Sequence, residues 1–246
     1  MNLILLDHDD IDAADPARVR LSDGRAAHLL GVLRVGAGQP VRIGRIDGPF
    51  GVGVVEAIDG ASVTLRCAFD AAIPPRPRVD LLLAVPRPKV LRRLWAQLAA
   101  LGVGQIILTN AERVERPYFD THLLGEATYR PLLVEGLQQA RDTRLPLVSV
   151  HRQFRVLVED HLDALAGDSL RLLADPRGST PLAAAAARHD GRRLLLAIGP
   201  EGGWNEFELT LLQAHGFELV GLGPRTLRVD TACTAMLAIA HAAMSD

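Results

Sequence analysis

The sequence predicts a two-domain α/β protein, in which a small β-rich domain precedes a larger one built on a mostly parallel sheet covered by helices. Three observations predict it. Short β-prone runs dominate the start of the chain, a proline-rich segment interrupts it at residues 73–78, and beyond that point apolar runs alternate with amphipathic helices.

The β-prone runs span residues 3–6, 41–46, 52–58 and 62–67, and turns such as Asp47-Gly48 and Asp59-Gly60 separate them. One helix intervenes, with Ala26, Leu29, Leu30 and Leu33 on a single face. These elements make residues 1–73 a small β-barrel. Ile73-Pro74-Pro75-Arg76-Pro77-Arg78 holds three prolines in six residues, which continue neither a helix nor a central strand. Residues 74–78 therefore form a stiff linker, and 79–246 the second domain.

In the second domain strands are expected at 80–85, 105–108, 170–174, 194–198 and 218–222. The first helix carries Leu91, Leu94, Trp95 and Leu98 on one face and stops at Gly102, a natural C-cap, so Trp95 reads as core packing. Pro131 conflicts with an unbroken helix over 126–140, which either starts near the proline or is kinked.

With 48% hydrophobic and 23% charged residues the chain is ordinary globular material. Its N-terminus lacks a basic n-region and a full apolar run, and no stretch approaches the roughly 18 apolar residues of a membrane span, so a cytoplasmic protein is expected. Cys67 and Cys233 are isolated, and His151, His161 and His189 lie in polar contexts, so neither a disulfide nor a metal is expected. A net charge of -2 carries no global nucleic-acid signature. Locally, Arg18, Arg20, Arg25, Arg34, Arg42 and Arg45 face the single acid Asp23, after an acidic stretch of Asp7, Asp9, Asp10, Asp12 and Asp15. Arg76, Arg78, Arg87, Lys89, Arg92 and Arg93 form a second basic run, and either run is equally a solvated surface.

Chemistry concentrates near the C-terminus. The run Leu194-Leu195-Leu196-Ala197-Ile198 enters Gly199-Pro200-Glu201-Gly202-Gly203, and Asn205 with Glu208 marks a capping box opening the next helix. Glycines there let backbone groups approach a ligand with no Cβ in the way, and a loop at the carboxyl end of a parallel strand is where open α/β sheets bind ligands. A sharp turn without a ligand fits these residues equally. The helix ends at His215-Gly216, a strand ends near Leu222, and Gly223-Pro224-Arg225-Thr226-Leu227-Arg228 follows before Asp230 or Thr231 caps the last helix. Arg225 and Arg228 could steady an anion or merely pair with surface carboxylates. The two loops belong to strands separated by one helix, which brings them to one edge of the sheet. No G-x-G-x-x-G, P-loop, G-x-S-x-G or H-E-x-x-H motif is present, which argues against nucleotide hydrolysis, serine hydrolysis and zinc proteolysis.

The combination of Gly199-Pro200-Glu201-Gly202-Gly203, Leu222-Gly223-Pro224-Arg225-Thr226-Leu227-Arg228 and Asp230-Thr231-Ala232 resembles the signature of the ribosomal RNA small-subunit methyltransferase E family. The resemblance continues in His28-Leu29-Leu30-Gly31-Val32-Leu33-Arg34, in Leu101-Gly102-Val103 and in Gln139, Arg144 and Pro146. It departs from the pattern at Ala100, Arg141-Asp142 and Asp230, positions that bear on RNA contact.

The resemblance implies an N-terminal PUA-like barrel for RNA and a C-terminal SPOUT domain with a trefoil knot, working as a homodimer. It further implies a metal-free transfer of the methyl group of S-adenosylmethionine to N3 of a uridine in small-subunit ribosomal RNA, free or within the assembled subunit. On this basis Ile198, Gly199, Pro200, Glu201, Gly202, Gly203, Leu222, Gly223, Pro224 and Leu227 hold the cofactor, while Arg225 and Arg228 stabilise the uridine anion. Arg25, His28, Arg34, Arg42 and Arg144 contact RNA. Glu201 is either a proton acceptor or a structural group. Another SPOUT enzyme acting on ribose 2′-OH, and a non-catalytic RNA-binding or ribosome-assembly protein of the same fold, remain alternatives.

Overall fold

The computed structural model describes residues 3–11 and 14–245; Met1 and Asn2, which open the N-terminal run considered above, and Asp12 of the acidic stretch lie outside the described residues. The chain divides into two compact units, Met1–Arg76 with Val134–Leu145, and Pro77–Leu133 with Pro146–Asp246.

The first unit contains β1 (Ile4–Leu6), β2 (Arg18–Leu21), α1 (Gly24–Gly31), β3 (Pro40–Arg45), β4 (Phe50–Asp59) and β5 (Ser62–Phe69). They form one sheet in the order β1-β3-β4-β5-β2, parallel only at β1–β3. Alternate side chains turn inward, so Ile4, Leu6, Val19, Leu21, Ile43, Val63 and Leu65 share a core that Ala26 and Leu29 of α1 cover. β2 is absent from the sequence expectation because Arg18 and Arg20, its outward residues, read as a charge cluster. Leu33 does not share the helical face: α1 ends at Gly31, Arg34 takes φ +51°, and Leu33 is 46% exposed.

Val134–Leu145, which the linker leaves in the second domain, groups with the first unit because it is fastened to the β3–β4 turn. The Thr143 hydroxyl donates to the Gly48 carbonyl at 2.7 Å, and the Asp47 N–H donates to the Thr143 carbonyl at 2.7 Å.

The second unit holds β6 (Val79–Ala84), α2 (Pro88–Ala100), β7 (Val103–Thr109), the start of α3 (Glu126–Ala140), β8 (Leu147–His151), α4 (Phe154–Val156) and α5 (Leu162–Ala166). It continues through β9 (Leu170–Ala174), β10 (Thr180–Pro181), α6 (Leu182–Ala186), β11 (Leu194–Ile198), α7 (Glu206–Ala214), β12 (Glu218–Gly221) and α8 (Val229–Ala243). Its seven strands are all parallel, in the order β10-β12-β9-β11-β6-β7-β8. Every residue of β6 and β11 is buried, as expected of central strands covered on both faces. The expected strands form, with ends shifted by a residue or two; β8 and β10 are additions. β8 is an edge strand with Leu147 and Val150 exposed, and β10 has only two residues, so neither carries a continuous apolar signal.

α2 buries Leu91, Leu94, Trp95 and Leu98 and ends before Gly102, whose φ of +76° is the left-handed conformation of a helix stop. Trp95 is fully buried, and its indole N–H donates to the Leu123 carbonyl at 3.2 Å. α3 starts at Glu126 and runs through Pro131 rather than starting there. The Gly125 carbonyl accepts from the Thr128 and Tyr129 N–H groups and secures the first turn, so the proline forfeits only its own helical bond. Both cysteines are buried thiols, and burial pushes Cys67 up to about 11 and Cys233 to about 12. Of the histidines in polar contexts, which are typical of exposed residues, His161 is exposed, whereas His151 and His189 are half-buried. Among the described residues no helix is long and apolar enough to cross a membrane.

Candidate functional site

Strand order builds the site. The chain leaves β11, passes through α7 and returns as β12, but β9 lies between the two strands. The loops after β9, β11 and β12 therefore meet at the carboxyl edge of the sheet, the usual ligand position in an open parallel sheet. They surround a solvent-open cleft, with Val229, Ala232 and Met236 of α8 in its wall.

Ile198, Gly199, Pro200, Glu201 and Gly203 line the cleft from the β11 loop. A Cβ on Gly199 would stand 3.0 Å from the Trp204 Nε1, so glycine allows the buried indole to lie flat against the backbone. Gly203, at φ +71°, closes the turn by donating to the Pro200 carbonyl at 2.8 Å. Gly202 is not part of the lining; its carbonyl accepts from the Arg113 guanidinium at 2.6 Å. The Glu201 carboxylate accepts from the Arg87 N–H at 3.1 Å and so fastens the loop to the start of α2. Asn205 caps α7 through the expected capping box with Glu208, whose buried carboxylate also accepts from the Glu112 N–H at 2.7 Å.

From the β12 loop, Leu222, Gly223, Arg225, Thr226 and Leu227 line the cleft, whereas Pro224 and Arg228 do not. Gly223 adopts φ +96°. Arg225 and Arg228 are exposed and form no side-chain hydrogen bond or ion pair among the described residues. Arg228 occupies the N-cap position of α8 without a side-chain bond, so neither Asp230 nor Thr231 caps this helix. Asp230 instead pairs with Arg93 at 2.8 Å.

Sequence reasoning missed the third loop. Asp175 and Pro176 line the cleft after β9, and the backbones of Gly178 and Gly221 pass so closely that a Cβ on either would enter the other strand's main chain. Asp175 is 8% exposed; burial raises its carboxyl, but hydrogen bonds from the Arg177 side chain and N–H outweigh that and hold it below the ordinary carboxylate range. Trp204 was missed as well. Trp204 lines the cleft, and its buried Nε1 has no hydrogen-bond partner among the described residues, an unusual state for a buried indole N–H. The signal available was Asp175-Pro176 directly after an expected strand, a turn at the ligand-binding edge.

In the first unit, Arg25 is held between Asp10 at 2.5 Å and Asp23 at 2.7 Å and donates to the Leu5 carbonyl, so its charge is spent inside the unit. Arg144 donates to the Asp47 carbonyl at 3.0 Å and is likewise a structural tie. His28 is half-buried, with Nε2 unpartnered among the described residues, while Arg34 and Arg42 are exposed. Ala100 is an exposed helix end, and Asp142 accepts from the Thr143 and Arg144 N–H groups in a turn.

The family model of the RNA methyltransferase domain matches residues 74–241. A ribosomal RNA small subunit methyltransferase E of Treponema pallidum is 34% identical over 253 residues, covering 98% of this chain and 92% of the relative. The fold matches the crystal structure of a ribosomal RNA small subunit methyltransferase E from Neisseria gonorrhoeae bound to S-adenosyl methionine. That match has a TM-score of 0.76 at 21% identity and covers 97% of this chain and 95% of the other. A methyltransferase of Legionella pneumophila in complex with its cofactor SAM matches with a TM-score of 0.76 at 22% identity, over 99% of this chain and 98% of the other. With a family model over most of its length and a relative of this identity along nearly all of it, the chain belongs to the RNA methyltransferase domain family, in the group of ribosomal RNA small subunit methyltransferase E proteins.

Proposed function

We propose that this chain transfers the methyl group of S-adenosylmethionine to N3 of a uridine in small-subunit (16S) ribosomal RNA. The observation that carries the proposal is the convergence of three strand-exit loops on one cleft with the unpaired guanidinium of Arg225 at its mouth. The relatives named above support the substrate class and the cofactor.

The cleft suits the cofactor chemically. Its walls are largely apolar, glycines at 199 and 223 bring main chain to the surface, and the orphaned Trp204 N–H supplies a donor. Ile198, Gly199, Pro200, Glu201, Gly203, Leu222, Gly223 and Leu227 would hold it. Bound there, the cofactor supplies an electrophilic sulfonium methyl group. Uridine N3 carries a weakly acidic imide proton, and its loss leaves negative charge on O2 and O4. Arg225 and Arg228 stabilise that charge, so positioning and electrostatics supply most of the acceleration. Glu201 acts as a fastener of the loop, because its carboxylate already accepts from the Arg87 N–H.

Around this centre the proposal takes residues 79–246 as a SPOUT domain with a trefoil knot, residues 1–73 as a PUA-like RNA-binding barrel, and a metal-free, cytoplasmic homodimer as the working form. In the barrel His28, Arg34 and Arg42 contact RNA, the two arginines through phosphates, and such contacts position RNA without specifying sequence. Undermodified small ribosomal subunits incubated with labelled S-adenosylmethionine, then digested and examined by mass spectrometry, are expected to yield 3-methyluridine. A 2′-O-methylated ribose would assign the chain to another SPOUT activity. Calorimetry that finds no cofactor binding would make it a non-catalytic RNA-binding protein.

A further inference from the structure

α2 is a helix whose charge opposes its own dipole. Its first turn contains no acid and begins Arg87-Pro88-Lys89, although a helix N-terminus favours negative groups. Lys89, Arg92 and Arg93 follow at i, i+3 and i+4 and so share one face, opposite the buried Leu91, Leu94, Trp95 and Leu98. Lys89 and Arg92 are exposed and form no ion pair among the described residues, and Arg87 is exposed with its guanidinium beside the neutral Tyr118 hydroxyl. Apart from Arg93, these cations gain no ion pair among the described residues, so the fold does not account for them.

Two contacts locate this face. The Arg87 N–H donates to Glu201, a residue of the cleft wall, at 3.1 Å. One and a half turns on, Arg93 pairs with Asp230 at 2.8 Å, two residues beyond Arg228. α2 therefore runs along the rim of the cleft, from the β11 loop to the start of α8. The acids that these contacts bring to the helix, Glu201 and Asp230, are both already engaged.

We infer that Arg87, Lys89 and Arg92 form a phosphate track on α2 that holds the RNA strand flanking the target nucleotide at the mouth of the cleft. The inference rests on the RNA-methylating function proposed above and assigns RNA contact to a surface of the second unit. A strand of single-stranded RNA is the occupant that fits, since exposed cations at the start of α2 and along this face stand beside the cleft proposed to take one nucleotide of that strand.

The test compares the unaltered protein with Arg87→Gln/Lys89→Gln/Arg92→Gln and with Arg155→Gln/Arg188→Gln/Arg192→Gln, a control with the same change in net charge elsewhere on the second unit. Binding of a fluorescent small-subunit ribosomal RNA fragment is followed by anisotropy across a salt series, and cofactor affinity by calorimetry. Each lost single-strand phosphate contact lowers the slope of log K against log salt by about 0.7, so the α2 variant is expected to lose about 2 in slope. It is expected to keep its cofactor affinity, and the control variant its slope. An unchanged slope in the α2 variant, or an equal loss in the control, overturns the track and leaves RNA binding standing. Failure of the unaltered protein to bind the fragment overturns the track together with the function on which it rests.

Discussion

The Arg113 guanidinium donates to the Gly202 carbonyl at 2.6 Å while its aliphatic stem lies where a Cβ of Gly202 would stand, 3.0 Å from Cδ. Arg113 thus braces the β11 loop at a residue outside the cleft lining. Arg113→Ala is expected to weaken cofactor binding about tenfold, a loss of the order of one charge-assisted hydrogen bond, and Arg113→Lys to recover part of it. Hydrogen exchange at Gly202, Gly203 and Trp204 should quicken in Arg113→Ala even without cofactor. Unchanged exchange there would show that the loop holds itself.

Gly178 and Gly221 face each other across main chain rather than flexible side chain, so neither neighbour can yield to an added methyl group. Gly178→Ala and Gly221→Ala are each expected to destabilise the protein by about 3 kcal/mol, at the upper end of overpacking costs. Urea unfolding measures this. A loss below about 1 kcal/mol would mean that the β9 and β12 exits separate easily, and the cleft with them.

What was legible in the sequence is what local chemistry decides. The apolar run of β11, its glycine turn and the Asn205–Glu208 capping box announce strand, loop and helix within fifteen residues. α2 likewise announces its face and its stop at Gly102. Strand order was not legible, because no residue of β9 records that it will lie between β11 and β12, and with it went Asp175 and Pro176. Arg25 was opaque for a related reason: its partner Asp10 lies fifteen positions away, and charge clusters do not reveal their pairings. Thr143 is similar, a small polar residue whose burial depends on a turn near Gly48.

Two histidines make stability depend on pH. Burial holds His241 below the ordinary imidazole range, and burial followed by the neighbouring His161 does the same for His151. The unfolded chain therefore takes up protons at these sites near pH 6.5 while the folded chain does not, so stability declines as pH falls through 6.5. The decline ends once the pH lies below the folded-state values. Chemical unfolding at intervals from pH 8 to pH 5 should show it, and His241→Gln should flatten the slope. A stability that rises on acidification through this window would contradict the assignment.

Arg225 and Arg228 share exposure and lack of partners but not position, since only Arg225 lines the cleft. Stabilisation of a developing anion falls off steeply unless the donor is aimed at the atom that gains charge. Arg225→Ala is therefore expected to lower kcat by about 100-fold with little change in cofactor affinity. Arg228→Ala, at the N-cap of α8, should cost less, about tenfold, and should act through the path of the β12 loop as much as through charge. Single-turnover methylation of undermodified small subunits separates chemistry from release in both variants. Full activity in Arg228→Ala would remove that residue from the catalytic set. Equal losses in the two variants would mean that the RNA, once bound, draws Arg228 into the cleft beside Arg225.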